Sequence, residues 1–183
     1  MRSLARKISR AKWEAVEAFA PDEIGADAVT SCLRTTGNAL SLWECDADAD
    51  DIRSWTPGAG NPEVEAVVLA LASSMDSLAS IDILLLSREA IEATGLRLLA
   101  TPEHGLTPVE DLKPRHVDLT ALDLVRLSMA ATLIAGQVRG GGAVRRFRSV
   151  EIVQVLQRAI ADRRLAAVAL RPSLQAKVVR TSG

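Results

Sequence analysis

Aromatic side chains are scarce in this chain of 183 residues, where Phe and Trp make up 3% and Tyr is absent. The stacking surfaces with which proteins bind single-stranded nucleic acid are therefore nearly missing. Hydrophobic residues nevertheless reach 48% and charged residues 25%, which is the composition of a globular domain. The length is enough for one well-filled core, built mainly from Leu, Val, Ile and Ala.

Other absences exclude several classes of protein. The only cysteines are Cys32 and Cys45, too few for the disulfide framework of a small secreted domain or for paired CxxC zinc motifs. No apolar run approaches the roughly 18 residues that a membrane span requires. We therefore expect a soluble, cytoplasmic protein, and the excess of Ala and Arg is typical of a bacterial sequence.

Common catalytic and nucleotide-binding motifs are also missing. The sequence contains no GxSxG, GxxxxGK[ST] or HExxH, which removes the usual signals for hydrolases, nucleotide-binding proteins and zinc proteases. No motif indicates a cofactor, and we predict none.

Charge, in contrast, is strongly segregated along the chain. Residues 1–12 carry five basic side chains and no acid, and residues 139–183 carry ten basic side chains and two acids. Residues 13–138 hold seven basic and 21 acidic side chains, a formal charge of −14. Such a distribution either steers partners through its electric field or lets the basic ends fold back on the acidic middle.

Hydrophobic periodicity predicts an α/β fold, a small sheet of three or possibly more strands, parallel or mixed, covered by helices. The predicted strands are 39–45, 81–86 and 96–101. Predicted helices lie at 8–20, 22–34, 61–75, 88–93, 118–138 and 149–164. The strand–helix–strand order favours parallel pairing, although the crossover at 88–93 is short for it.

The three glycines at 140–142 predict a hinge that divides the chain. Residues 1–138 are then a compact acidic α/β domain that begins with a basic helix. Residues 139–183 are a basic, helical C-terminal arm, which we expect to pack on the same domain.

An acidic cluster follows the first predicted strand and begins as D-x-D-x-D at Asp46, Asp48 and Asp50. It is not an EF-hand, because Asp51 stands where Gly is needed and Pro57 where a bidentate Glu is needed. The simplest interpretation is a solvated loop. The alternatives are a metal site at Asp46 and Asp48, or a surface for a basic partner formed by Asp48, Asp50 and Asp51.

If the strands are parallel, their carboxyl ends bring polar side chains together. Asp46 and Asp48 would meet Arg88, Glu103 and His104 there. That set could bind Mg²⁺ and phosphate and support hydrolysis, with His104 or Glu103 as the catalytic proton carrier.

A cysteine nucleophile is a further hypothesis. Asp118 is close enough in sequence to orient His116, and Cys32 or Cys45 could complete the set. Against this, Asp118 also suits the N-cap of the predicted helix over 118–138, and a lone Cys is usually a buried apolar residue.

Arg145, Arg146 and Arg148 form the clearest basic patch, a candidate surface for nucleic acid or for a protein partner. No helix-turn-helix or RNA-binding signature accompanies it.

We therefore favour a non-enzymatic interaction or accessory module, comparable to antitoxin or immunity proteins only by analogy. Its expected partner is another protein, possibly basic, or a second copy of the chain. The alternatives are a small metal- or phosphate-dependent hydrolase and, third, a nucleic-acid-binding protein.

Overall fold

A computed structural model of the protein describes residues 3–15, 20 and 23–180, and it contains a six-stranded sheet. The strands are β1 (Ser3–Ile8), β2 (Leu40–Cys45), β3 (Ile81–Ser87), β4 (Arg97–Ala100), β5 (His116–Thr120) and β6 (Val144–Phe147). Their order is β4-β5-β2-β1-β3-β6, and every neighbouring pair is antiparallel. The prediction of a three-stranded parallel or mixed sheet is wrong.

Helices cover both faces of this sheet. They are α1 (Ala26–Cys32), α2 (Ala49–Ser54), α3 (Pro62–Ser73), α4 (Arg88–Ala93), α5 (Leu124–Arg139), α6 (Ser149–Ala161) and α7 (Pro172–Arg180). Short 3₁₀ turns lie at Arg10–Lys12, Pro102–His104, Glu110–Arg115 and Ala167–Ala169. Among the described residues, no helix combines the length and the apolar character needed to cross a membrane.

Local sequence explains the two helices that were predicted best. Helix α3 begins at Pro62, and the side chain of Asn61 accepts a hydrogen bond from the Glu63 N–H at 2.9 Å. Ser87 caps α4 in the same way, accepting from the Ala90 N–H at 3.3 Å. The predictions over 61–75 and 88–93 are confirmed.

The length of α4 also explains why β4 does not pair with β3 in parallel. A parallel neighbour requires a crossover of a dozen or more residues, whereas α4 spans only Arg88–Ala93 before Gly95 turns the chain with a φ of +77°. Strand β4 therefore does not return beside β3. It lies at the far edge of the sheet and pairs with β5.

The N-terminal segment begins with a strand that was not predicted, and the helix predicted over 8–20 does not form in the part of it that the structure describes. Strand β1 lies between β2 and β3 in the middle of the sheet, and Leu4 and Ala5 are buried on opposite faces. The chain then makes the turn Arg10–Lys12, and residues 16–19 of the predicted helix, with Val16 and Phe19, lie outside the described residues.

The sheet separates two hydrophobic clusters. Helices α3, α6 and α7 pack on one face, around the fully buried side chains of Trp55 and Phe147. Helices α1 and α5 pack on the other face, against residues such as Leu42 and Leu84. Strand residues alternate between the two clusters, so Leu42 faces one and Trp43 the other.

The C-terminal segment contributes a strand to the same sheet. Residues 140–142 form the turn from α5 to β6, where the Gly142 N–H donates to the Gln137 carbonyl at 2.8 Å. Strand β6 pairs with β3, placing Phe147 opposite Ile81, and α6 packs on α3.

Arginines of this segment form ion pairs with carboxylates of the acidic middle. The pairs are Arg146 with Asp82, Arg158 with Glu65, Arg164 with Asp111 and Arg171 with Asp76. The Arg146 guanidinium donates two hydrogen bonds, of 2.9 and 3.1 Å, to the Asp82 carboxylate, which is buried. At least four of the ten basic side chains of this segment are thus paired with carboxylates of the acidic middle.

A further pair lies inside the segment. The Arg145 guanidinium donates to Glu151 at 2.7 Å and packs over the Phe147 ring, 4.4 Å from its centroid. Burial opposes ionisation of Glu151, but hydrogen bonds from the Arg148 N–H and from Arg145 outweigh it and lower the pKa of this carboxyl group.

We expect Glu151→Ala to lower the free energy of unfolding by about 3 kcal/mol, because it leaves the buried Arg145 guanidinium without its counter-charge. Urea denaturation measures the loss. Arg164→Ala is the matched control, since its pair with Asp111 is exposed (41% for the Arg164 side chain, against 7% for Glu151) and should cost less than about 1 kcal/mol. Equal losses of unfolding free energy in the two variants would contradict the claim that the Arg145–Glu151 pair stabilises the fold more than an exposed pair does.

Candidate functional site

A groove of about 720 Å³ lies beside β2 and β5 on the described surface. Its lining includes Arg6, Arg34, Ser41, Glu103, His104 and Asp118. The hydrolase hypothesis named Glu103 and His104, and the structure brings these two together here. The other four come from segments to which the sequence assigned no role in this site.

Asp118 provides the fixed part of the site. It lies in the middle of β5, opposite Ser41 of β2 and Leu99 of β4, and its side chain is only 4% exposed. Its strand neighbours Val117 and Leu119 point into the core of the other face. The prediction that Asp118 caps a helix is wrong, because α5 begins at Leu124 and is capped by Asp123.

His104 provides the accessible part. It ends the turn Pro102–His104, which follows β4 directly and holds the His104 N–H on the Thr101 carbonyl at 3.0 Å. The Nδ1 atom of His104 lies 2.7 Å from Oδ2 of Asp118, and the side chain is 59% exposed. A buried carboxylate therefore orients an imidazole whose other nitrogen faces the groove.

This contact sets the protonation of His104. The hydrogen bond with Asp118 raises the pKa of His104 above its ordinary 6.5, against a smaller opposing effect of desolvation. Glu103, whose Oε1 lies 3.8 Å from Nε2, adds to the rise. Because a carboxylate only accepts, the neutral ring carries its proton on Nδ1 and leaves Nε2 free to accept one.

His116, the other histidine, is a structural residue. Its Nδ1 lies 2.9 Å from the Thr101 carbonyl, and its ring packs edge-on against Trp43 in the core. Asp118 orients His104 and not His116, so the predicted Cys–His116–Asp118 arrangement does not form. Burial also raises the pKa of the Cys45 thiol to about 12, which keeps it protonated.

The acidic cluster serves mainly to begin α2. Oδ1 of Asp48 accepts from the N–H groups of Asp50 and Asp51 at 2.8 and 2.9 Å, and Asp51 accepts in return from the Asp48 N–H at 3.0 Å. These backbone hydrogen bonds lower the pKa of Asp48. Asp46 lines a separate, smaller pocket, so the predicted metal pair does not meet His104.

The described residues contain no group of three or more His, Cys, Asp or Glu side chains placed to hold a metal ion.

The basic patch predicted for partner binding is largely occupied. Arg145 and Arg146 are paired with Glu151 and Asp82, and the exposed Arg148 side chain lies 3.7 Å from Glu151. Its use as a binding surface stays a prediction.

The sequence did contain a signal for Asp118. In residues 116–120 Val117 and Leu119 alternate with polar residues, which is the strand period, and helical periodicity begins only at Leu124. Arg6 and Arg34 had no such signal, because their nearness to His104 depends on pairing between distant segments.

These features define a protein with a six-stranded antiparallel sheet, helices on both faces and a His–Asp pair in a surface groove. Comparisons with protein-family models, with curated proteins and with solved structures found no match for this chain.

We expect His104 to titrate above pH 6.5 and Asp118→Asn to return its pKa toward 6.5, since the carboxylate is the largest cause of the shift. The stabilisation of the folded state by protonated His104 beside Asp118 is complete below the unfolded-state pKa of His104, and it is lost as the pH rises through the higher folded-state pKa. NMR titration of the imidazole Cε1–H signal measures both values. Glu103→Gln is the control and should lower the pKa less than Asp118→Asn; equal pKa values in wild type and Asp118→Asn would refute the pairing.

Proposed function

We propose that the protein is a small hydrolase that acts on a molecule bound in the groove, with His104 as its acid–base residue. The observation that supports this most directly is the 2.7 Å contact between His104 Nδ1 and the buried Asp118 carboxylate. A buried carboxylate behind an exposed imidazole is the arrangement that prepares histidine for proton transfer.

The chemistry follows from the protonation states. Nε2 of neutral His104 takes a proton from a water molecule as the water oxygen attacks the substrate, and Asp118 stabilises the imidazolium that forms. The same proton then passes to the leaving group, which restores the neutral ring. Glu103 is exposed beside Nε2, where its charge also favours the imidazolium.

Groove size and the charge pairing elsewhere also support the proposal. A volume of about 720 Å³ lies in the range of small-molecule sites. The basic residues on which the interaction-module hypothesis depended have, for the most part, carboxylate partners in their own chain. The basic arm is therefore less available to a partner than the interaction-module hypothesis requires, while the docking face at Asp48, Asp50 and Asp51 stays a prediction.

We expect hydrolysis of at least one compound in a panel of small carboxylic and phosphoric esters, with kcat/KM falling about 100-fold or more in His104→Ala. Asp118→Asn should also lower kcat, because the ring loses its orientation and the imidazolium its counter-charge. Asp48→Ala is the control: it removes a helix cap, away from the groove, and should leave kcat/KM unchanged. Hydrolysis that survives His104→Ala would exclude the proposed role.

A second candidate function is self-association through β4. Arg97, Leu99 and Ala100 of this edge strand are exposed. The Thr101 N–H donates to His116 of β5, and peptide groups alternate along a strand, so Leu98 and Ala100 direct theirs outward. An unpaired edge of this kind can pair with the same edge of a second copy.

We expect the wild-type protein to sediment as a dimer at micromolar concentration and Leu99→Lys to sediment as a monomer, because a charge on an edge strand opposes pairing. Leu99 is 56% exposed, so the substitution should not disturb the fold. Leu124→Lys, at an 86% exposed position on α5, is the control and should remain dimeric. A monomeric wild type would rule out this candidate.

A further inference from the structure

Arg6 is a partly buried cation whose hydrogen bonds go to backbone carbonyls. Its Nη1 donates to the Ser41 carbonyl at 2.5 Å and its Nη2 to the Cys32 carbonyl. Its Nε is buried and has no hydrogen-bond partner among the described residues. None of the ion pairs found within residues 3–15, 20 and 23–180 involves Arg6.

Among the described residues, Arg6 differs in its lack of a carboxylate partner from other shielded arginines of the molecule. Other shielded guanidinium groups have a carboxylate: Arg115 has Glu63, and Arg158 has Glu65. Burial lowers the pKa of Arg6 to about 10, which still leaves it charged at neutral pH. A partly desolvated charge without a counter-charge is unfavourable, and no carboxylate of the described residues forms an ion pair with Arg6, so a bound anion would stabilise it.

Arg6, which lacks an anionic partner among the described residues, lies in the proposed site. Arg6 lines the groove together with His104 and Asp118. The carbonyl that it holds belongs to Ser41, which lies directly opposite Asp118 in the β2–β5 register. Arg34, an exposed arginine that forms none of the described ion pairs, lines the same groove.

We infer that the groove binds a small molecule carrying an oxyanion, a carboxylate or a phosphate group, which Arg6 and Arg34 recognise beside His104. This inference rests on the proposed function and names the substrate class for it. Guanidinium groups suit both kinds of oxyanion, because their N–H donors match the geometry of carboxylate and phosphate oxygens.

Isothermal titration at low salt with inorganic phosphate and, separately, with succinate tests the inference without requiring turnover. The wild type should bind at least one of the two saturably, and the one it binds identifies the kind of oxyanion. Arg34→Ala should lower that affinity about tenfold, the usual effect of losing one charge-assisted hydrogen bond. Arg97→Ala removes an exposed arginine of β4 outside the groove and should bind as the wild type does.

Arg6→Lys is the second variant, checked first for folding by circular dichroism. It keeps the charge but not the fork of donors, so it should also bind more weakly. Equal affinity in Arg34→Ala and Arg97→Ala, or no saturable binding by the wild type in the millimolar range, would overturn the inference.

His104→Ala separates this inference from the proposed function. Oxyanion binding that persists in a protein without His104-dependent hydrolysis means that the hydrolase proposal is wrong and the binding site stands. His104-dependent hydrolysis without arginine-dependent binding means the reverse.

Discussion

The attraction between the basic C-terminal segment and the acidic middle of the chain is the interaction on which the rest of this structure depends. It joins β6 to β3 through Arg146 and Asp82, and α6 to α3 through Arg158 and Glu65. The Asp82 carboxylate is buried, so this pair is shielded from salt more than a surface pair is. Basic charges that suggest, in the sequence, a surface for a partner form ion pairs within the fold instead.

The groove differs from the rest of the structure, because some of its charged side chains, such as Arg6 and Arg34, have no carboxylate partner among the described ion pairs. Asp118 lies buried inside a strand, and its partner is an exposed histidine that belongs to a short turn. The sequence pointed to His104 and Glu103 but supplied the wrong reason, converging ends of parallel strands. It assigned Asp118 to His116 or to a helix cap and not to His104, since an aspartate is rarely buried in a strand and usually caps a helix.

Elements whose signals are local were predicted well. Helix α3 is marked by Asn61 and Pro62, and β3 by the apolar run at 83–86, so both were found. Strand β1 was not predicted, because Arg6 and Lys7 interrupt its alternation and because its place depends on pairs such as Ser3 with Ser87. Strand order and direction arise from such distant pairings, which one sequence does not display.

Chemical modification with diethyl pyrocarbonate, read by mass spectrometry across a pH series, tests the central claim most directly. The reagent attacks the unprotonated nitrogen of accessible imidazoles. The account predicts modification at His104 and not at the buried His116, with a midpoint above pH 6.5 and slower reaction when phosphate or succinate is present. Modification of His104 with a midpoint at 6.5 and no protection by either anion would contradict it.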